Sequence, residues 1–203
     1  MPCTIDSARI EATIAFHGHW CPGVAIGIRA AESALRRFPE AADTDLVAVV
    51  ETDMCGVDAI QFLTGCTLGK GNLLHRDYGK MAFSFFHRPS TDGVRILLRR
   101  DARGEIGLKL DALQRQKQTT PLTPDQQAQE SQLRQKLQDR FMTLSLNDLF
   151  EFQSPPSPMP RGPQIQESLP CAACGEAAME SRTRRCGGQT YCIPCFAAVD
   201  QKR

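Results

Sequence analysis

Apolar positions recur at helical spacing early in the chain. Residues 6–15 carry a short helical pattern, with Asp6 or Ser7 available as its cap. Residues 22–37 open with Pro22, which suits the first position of a helix, and continue as "VAIGIRAAESALRRF" until Pro39 stops them. The pattern then changes. "LVAVVET" at 46–52 is a short β-branched run and reads as a buried strand. "GVDAIQFLTGC" reads as a short helix ending near Gly65. "MAFSFFH" (81–87) and "VRILLRR" (94–100) read as strands, with "RPSTDG" between them as a hairpin loop. Helices alternating with strands predict a mixed sheet with helices packed on it.

Beyond this the pattern thins. Residues 110–140 are rich in Gln, Lys, Arg and Asp. Thr123, Pro124 and Asp125 form a strong helix start. The helix that follows has one narrow apolar stripe, Leu133, Leu137 and Phe141, and reads as a solvated helix packing through that stripe. "SPPSPMPRGP" at 154–163 is a semi-rigid, proline-rich linker. The expected division is a core domain at 1–153, the linker at 154–163 and a small domain at 164–203.

Composition narrows the class. A hydrophobic fraction of 41% and a net charge of +1 suit a globular protein without a broad nucleic-acid or membrane surface. No apolar run reaches the length of a membrane span, and the N-terminus has no secretory pattern, so a cytoplasmic protein is expected. In a reducing compartment nine cysteines point to metal or redox chemistry rather than to a disulfide framework.

Four of the nine fall in one motif. Cys171, Cys174, Cys192 and Cys195 form C-x2-C-x17-C-x2-C. Each Cys-x-x-Cys pair presents two thiolates on one side of a tight turn, and two pairs complete a tetrahedral zinc site. Strand-forming segments turned by Gly187 and Gly188 lie between the pairs, and "FAAVDQKR" after Cys195 can form a short helix. This is the order of a treble-clef finger. The spacing resembles the TraR/DksA type of C4 finger. From 164 to 203 there are five Lys/Arg against four Asp/Glu, which argues against a nucleic-acid partner. Cys186 is spare.

The second concentration of chemistry is "FHGHWCPG". His17, His19 and Cys21 alternate, so in extended chain they share a side. Pro22 places Cys21 at a helix N-terminus, where free N–H groups and the helix dipole stabilise a thiolate. "ETDMCGVDAIQFLTGCTLGKGN" follows the first strand and puts Asp53 and Cys55 at its carboxyl end, where sites gather in open α/β sheets. Cys21, Cys55 and His19 would make three ligands with one open position. Should the site be catalytic, Cys21 is the expected nucleophile or redox thiol, His17 or His19 the base and Asp53 the orienting group. Cys66 has equal claims as a packed apolar residue, and His75 and His87 read as structural. "GCTLGKGN" is not a phosphate loop: its spacing is one residue short and no Ser or Thr follows Lys70.

At these residues the chain resembles the FmdE family, named for a component of the molybdenum formylmethanofuran dehydrogenase. The resemblance rests on "FHGHWCPGVAIGIRAA", "ETDMCGVDAIQFLTGCTLGKGNL" and "DYGKMAFSFF". It implies an α+β, thioredoxin-like core with a mixed five-stranded sheet flanked by helices, and a C-terminal zinc finger. It also implies zinc or another transition metal at a site built from His17, His19, Cys21, Asp53 and Cys55, with Cys66 and Lys70 nearby, and a homodimer. The expected role is accessory or subunit of a molybdenum or tungsten oxidoreductase system. A metal-sensing regulator and a stand-alone metal hydrolase or thiol enzyme are the alternatives.

Overall fold

The computed structural model describes residues 2–41 and 44–199. The chain divides into two compact units, Met1–Gly162 and Pro163–Arg203. The first unit runs α1 (Ser7–His17), α2 (Pro22–Arg37), β1 (Leu46–Val50), α3 (Gly56–Thr64), β2 (Leu73–His75), β3 (Ala82–His87), β4 (Gly93–Leu98), α4 (Gly104–Thr119), α5 (Pro124–Thr143), α6 (Leu146–Leu149) and β5 (Phe150–Gln153). Its strands form one mixed sheet in the order β2-β1-β3-β4-β5. Only β1 and β2 are parallel; the other neighbours pair antiparallel.

The pleat assigns the two faces. Leu46, Ala48, Val50, Phe83, Phe85, Val94 and Ile96 belong to the main core with residues of α2, α4 and α5. The alternate residues Val47, Val49, Ser84, Phe86 and Arg95 therefore face the other way. Pro155 lies against that second face, its Cγ 3.1 Å from where a Cβ on Gly93 would stand. The proline-rich segment expected as a semi-rigid linker thus begins as part of the first unit.

Helix α2 is buried along most of its length, more than an amphipathic pattern suggests. Arg29 and Glu32, both fully buried, make this possible. They pair at 3.2 Å, and Arg29 also donates to the carbonyls of Met142 and Leu144 at 2.9 and 2.8 Å. Glu32 accepts from the backbone N–H and the hydroxyl of Thr4. Buried charges are tolerable when they are paired with each other and most of their polar atoms are hydrogen-bonded; Arg29 Nε and Glu32 Oε2 are joined by the ion pair, not by a hydrogen bond.

The expected helices and strands form within two or three residues of their sequence bounds. Four elements of this unit are additional, the single turn α6 among them. β2 has three residues, too few to show a pattern. β5 is "FEFQ", directly after α6. α4 buries only Gly107, Leu110 and Leu113 in an otherwise polar stretch, so its period is weak. α5 packs as expected, with Leu133, Leu137 and Phe141 all buried, and its start is a full capping box between Thr123 and Gln126.

The second unit holds two hairpins, β6 (Ser168–Pro170) with β7 (Ala177–Met179) and β8 (Thr183–Cys186) with β9 (Gln189–Cys192), followed by α7 (Ile193–Ala197). Gly187 and Gly188 turn the second hairpin at φ +57° and +80°, a conformation that side chains disfavour. The final helix starts before Cys195 rather than after it; residues 200–203 of the expected segment lie outside the described residues.

Candidate metal centres

Three local devices converge on the core cluster. The first is the end of α1. His17 is its last residue, and Gly18, at φ +93°, caps it through an N–H donated to Ile14. The second is the start of α2. Cys21 is its cap, and the sulfur accepts from the Val24 N–H at 3.4 Å. The third is the turn after β1, which delivers Cys55 to the start of α3.

Glycine brings the last two together. A Cβ on Gly27 would stand 2.2 Å from the Gly56 carbonyl oxygen, so α2 and α3 cross with no room for a side chain. A Cβ on Gly23 would stand 3.0 Å from Cys55 Cβ and 3.7 Å from both the Cys21 and Cys55 sulfurs. Bare backbone at this crossing is what sets the two thiols side by side.

His17, His19, Cys21 and Cys55 each offer a donor atom, and all four atoms lie within 4.8 Å of one another. His17 is oriented by Asp58, whose Oδ2 lies 2.7 Å from Nδ1. With a carboxylate there, Nδ1 carries the proton and donates, leaving Nε2 as a bare lone pair. Nε2 is buried and has no hydrogen-bond partner among the described residues. A buried lone pair with an oriented ring is what a metal ligand requires. Burial and the neighbouring Cys21 sulfur push the Cys55 thiol up from its ordinary value, so Cys55 resists ionising without a cation beside it.

The structure places the other expected residues as follows. Asp53 is exposed and stands outside the four-donor group; the carboxylate on His17 is Asp58. Asp58 is three positions beyond Cys55 on α3, a same-face spacing that could have pointed to it. Cys66 is fully buried in the apolar core. Lys70 donates to the Gly65 carbonyl at 2.9 Å, closing the end of α3. Asn72 binds Thr67 N–H and the Leu46 carbonyl, so the glycine loop is a tight helix-to-strand connection. His87 contacts Ser90 and stacks on Phe38; His75 ends β2 and is exposed.

His19, Cys21 and Cys55 also line a cavity of about 440 Å³. Its walls are largely apolar, with Ile26, Met81, Leu110, Leu137 and Phe141. Arg103 and Arg134 border it, each already paired, with Asp111 and Glu130 respectively.

In the second unit, Cys171, Cys174, Cys192 and Cys195 likewise offer donors within 4.8 Å of one another. Cys171 and Cys174 sit in the turn between β6 and β7, Cys192 ends β9 and Cys195 lies in α7. The Cys174 and Cys192 sulfurs are 4.0 Å apart. Four sulfurs around a tetrahedral zinc stand about 3.8 Å apart, given Zn–S bonds of about 2.3 Å. Backbone N–H groups, chiefly of Cys174 and Cys192, hold the Cys171 thiol down to about 6. Cys195, facing the sulfurs of Cys192, Cys174 and Cys171, is pushed up to about 12. Four thiolates this close need a cation among them. Cys186 ends β8, half-buried, outside the group.

Fold and donor sets together define a mixed α+β protein with Cys/His metal-binding groups and a C-terminal C4 finger. The chain matches the family model described as "FmdE, Molybdenum formylmethanofuran dehydrogenase operon" over residues 16–151, and belongs to that family. Residues 166–201 match the prokaryotic dksA/traR C4-type zinc finger. The crystal structure of a tungsten formylmethanofuran dehydrogenase FmdE-like protein from Syntrophus aciditrophicus is similar over 100% of both chains, with a TM-score of 0.63 and 23% identity. A probable S-adenosyl-L-methionine-binding protein of Archaeoglobus fulgidus is 29% identical over 88% of this chain. The chain spans about half of that relative's length, 52%.

Proposed function

We propose that the core cluster is a zinc site and that the chain serves as an accessory or subunit of a molybdenum or tungsten oxidoreductase system. The observation that carries the metal reading is His17: one ring nitrogen on Asp58, the other buried, unpartnered and among three further donors. The donors fit zinc, which accepts imidazole and thiolate together. His17, Cys21 and Cys55 would hold it, with His19, the exposed member, as the exchangeable fourth ligand. A zinc ion there would supply a Lewis-acid charge beside the cavity. The chain's own residues do the rest. Asp58 fixes the His17 tautomer, the apolar walls limit water, and the glycine crossing holds the two sulfurs in register.

The family's description, which names a molybdenum formylmethanofuran dehydrogenase operon, supports the accessory role. Among the described residues no helix is long and apolar enough to cross a membrane. The test is co-purification of the tagged full chain from a host that expresses a molybdenum or tungsten oxidoreductase. The expected result is a stoichiometric complex with a component of that oxidoreductase, and loss of the enzyme's activity on deletion of this chain. Elution alone, with oxidoreductase activity intact in the deletion strain, contradicts it.

A further inference from the structure

The sheet face turned away from the helices carries a second constellation. Glu51, just past β1, is gripped by Arg95 of β4: Nε lies 2.6 Å from Oε1 and Nη2 lies 2.9 Å from Oε2. The remaining Arg95 nitrogen donates to Gln153 at 2.9 Å. Both carboxylate oxygens are thus used on one guanidinium. Arg76 and Lys80 nevertheless line the same cleft, and neither has a carboxylate partner among the described residues. Lys80 also acts on Glu51 through space, yet the cleft lining keeps an excess of positive charge, Arg76, Lys80 and Arg95 against Glu51.

The loop that carries them is pinned, not free. Arg76 N–H donates to the Val50 carbonyl at 2.8 Å and Lys80 N–H to the Glu51 carbonyl at 2.9 Å. Gly79, at φ +63°, makes the turn between them. Lys80 Nζ stands 5.8 Å from the centre of the Tyr78 ring. The cleft measures about 470 Å³. Ser84 and Phe86 of β3 form its floor, and Pro156 and Pro160 wall it. Ser84 is a buried polar residue of the sheet that lines this cleft and offers it a hydroxyl. The cleft lies at the carboxyl ends of the two parallel strands, where open sheets bind ligands, but across the sheet from the metal donors.

We infer that this cleft binds a small organic oxyanion, a phosphate or carboxylate on a planar apolar body. The Arg76 fork and the Lys80 ammonium meet the oxyanion, the Ser84 hydroxyl donates to it, and the body lies against Tyr78 and Phe86. Nothing in the binding involves the zinc reading of the other face.

The test is calorimetric titration of the full chain with phenyl phosphate and, separately, benzoate, in a non-coordinating buffer. The expected result is saturable binding of at least one probe at about 50 mM salt, several-fold weaker at about 500 mM. The Arg76→Ala/Lys80→Ala variant should bind at least about tenfold more weakly. Both positions are exposed, and an unchanged melting curve verifies the fold. Cys55→Ser should bind like the wild type; loss of binding in that variant places the anion on the core metal and overturns the proposal. Absence of binding by both probes, or equal binding by the double variant, overturns it too.

Discussion

His17 and Asp58 show how the core site depends on single atoms. Asp58 touches no expected substrate, yet it decides which nitrogen of His17 is free. Loss of such a carboxylate partner typically costs about 10–100-fold in metal affinity. Asp58→Asn should therefore weaken core zinc binding by that factor in a competitive chelator titration, while the finger keeps its zinc. Equal affinity in the variant would show that Asp58 does not orient a ligand. His17, His19 and Cys21 were legible because they are local: their alternation and the proline after them are in eight consecutive residues. Asp58 was not, because its part depends on the face that α3 presents to α1. Asp53 was the expected carboxylate because it stands with Cys55 at the carboxyl end of the first strand.

At the scale of elements, the crossing of α2 and α3 is the critical contact. Gly27→Ala would force a Cβ into the Gly56 carbonyl, a contact that only backbone movement relieves. Overpacking of this kind costs about 1–3 kcal/mol. The variant should melt earlier and lose the core zinc, since its sulfurs sit at the same crossing. Full retention of that zinc would separate the crossing from the site. The sheet offers a different test. Arg95 holds the Glu51 carboxyl below its ordinary value of 4.5, chiefly by direct hydrogen bonds. The folded state then binds that proton less readily than the unfolded chain. The stabilisation is complete above the ordinary carboxylate range and is lost as pH falls through the lowered folded value. Glu51→Gln leaves Arg95 buried without its charge and should cost about 3–5 kcal/mol at neutral pH. Its denaturant midpoint should also fall less between pH 6 and pH 3 than the wild type's. Parallel pH profiles would contradict this account. The elements that sequence pattern missed, β2, β5, α4 and α6 in the first unit and the β6–β7 hairpin in the second, share a cause: each is too short or too polar to carry a period, and tertiary contacts make it regular.

At the scale of the whole chain, the two units differ in what holds them. The first has a continuous apolar core. In the second, the large apolar residues Ile165, Met179 and Ile193 are exposed, and among the described residues Cys171 is the only buried hydrophobic. A unit so small and so exposed has little burial to fold on, and the account predicts that it takes its stability from a metal on the four cysteines. Chelation should collapse the finger's amide resonances in an NMR spectrum and leave those of the sheet in place. Simultaneous loss of both would mean that the finger metal also supports the first unit. The finger was the most legible part of the chain, because its donors are fixed by spacing alone. The core centre needed two segments some thirty residues apart to meet, and glycine packing that no period announces.

The most direct test is metal content per chain, by elemental mass spectrometry on the full protein, on Cys55→Ser and on Cys174→Ser. The account predicts about two zinc ions for the wild type and about one for each variant, with a different centre emptied in each. One zinc in the wild type, unchanged in Cys55→Ser and lost in Cys174→Ser, would contradict it and leave the finger as the sole metal centre.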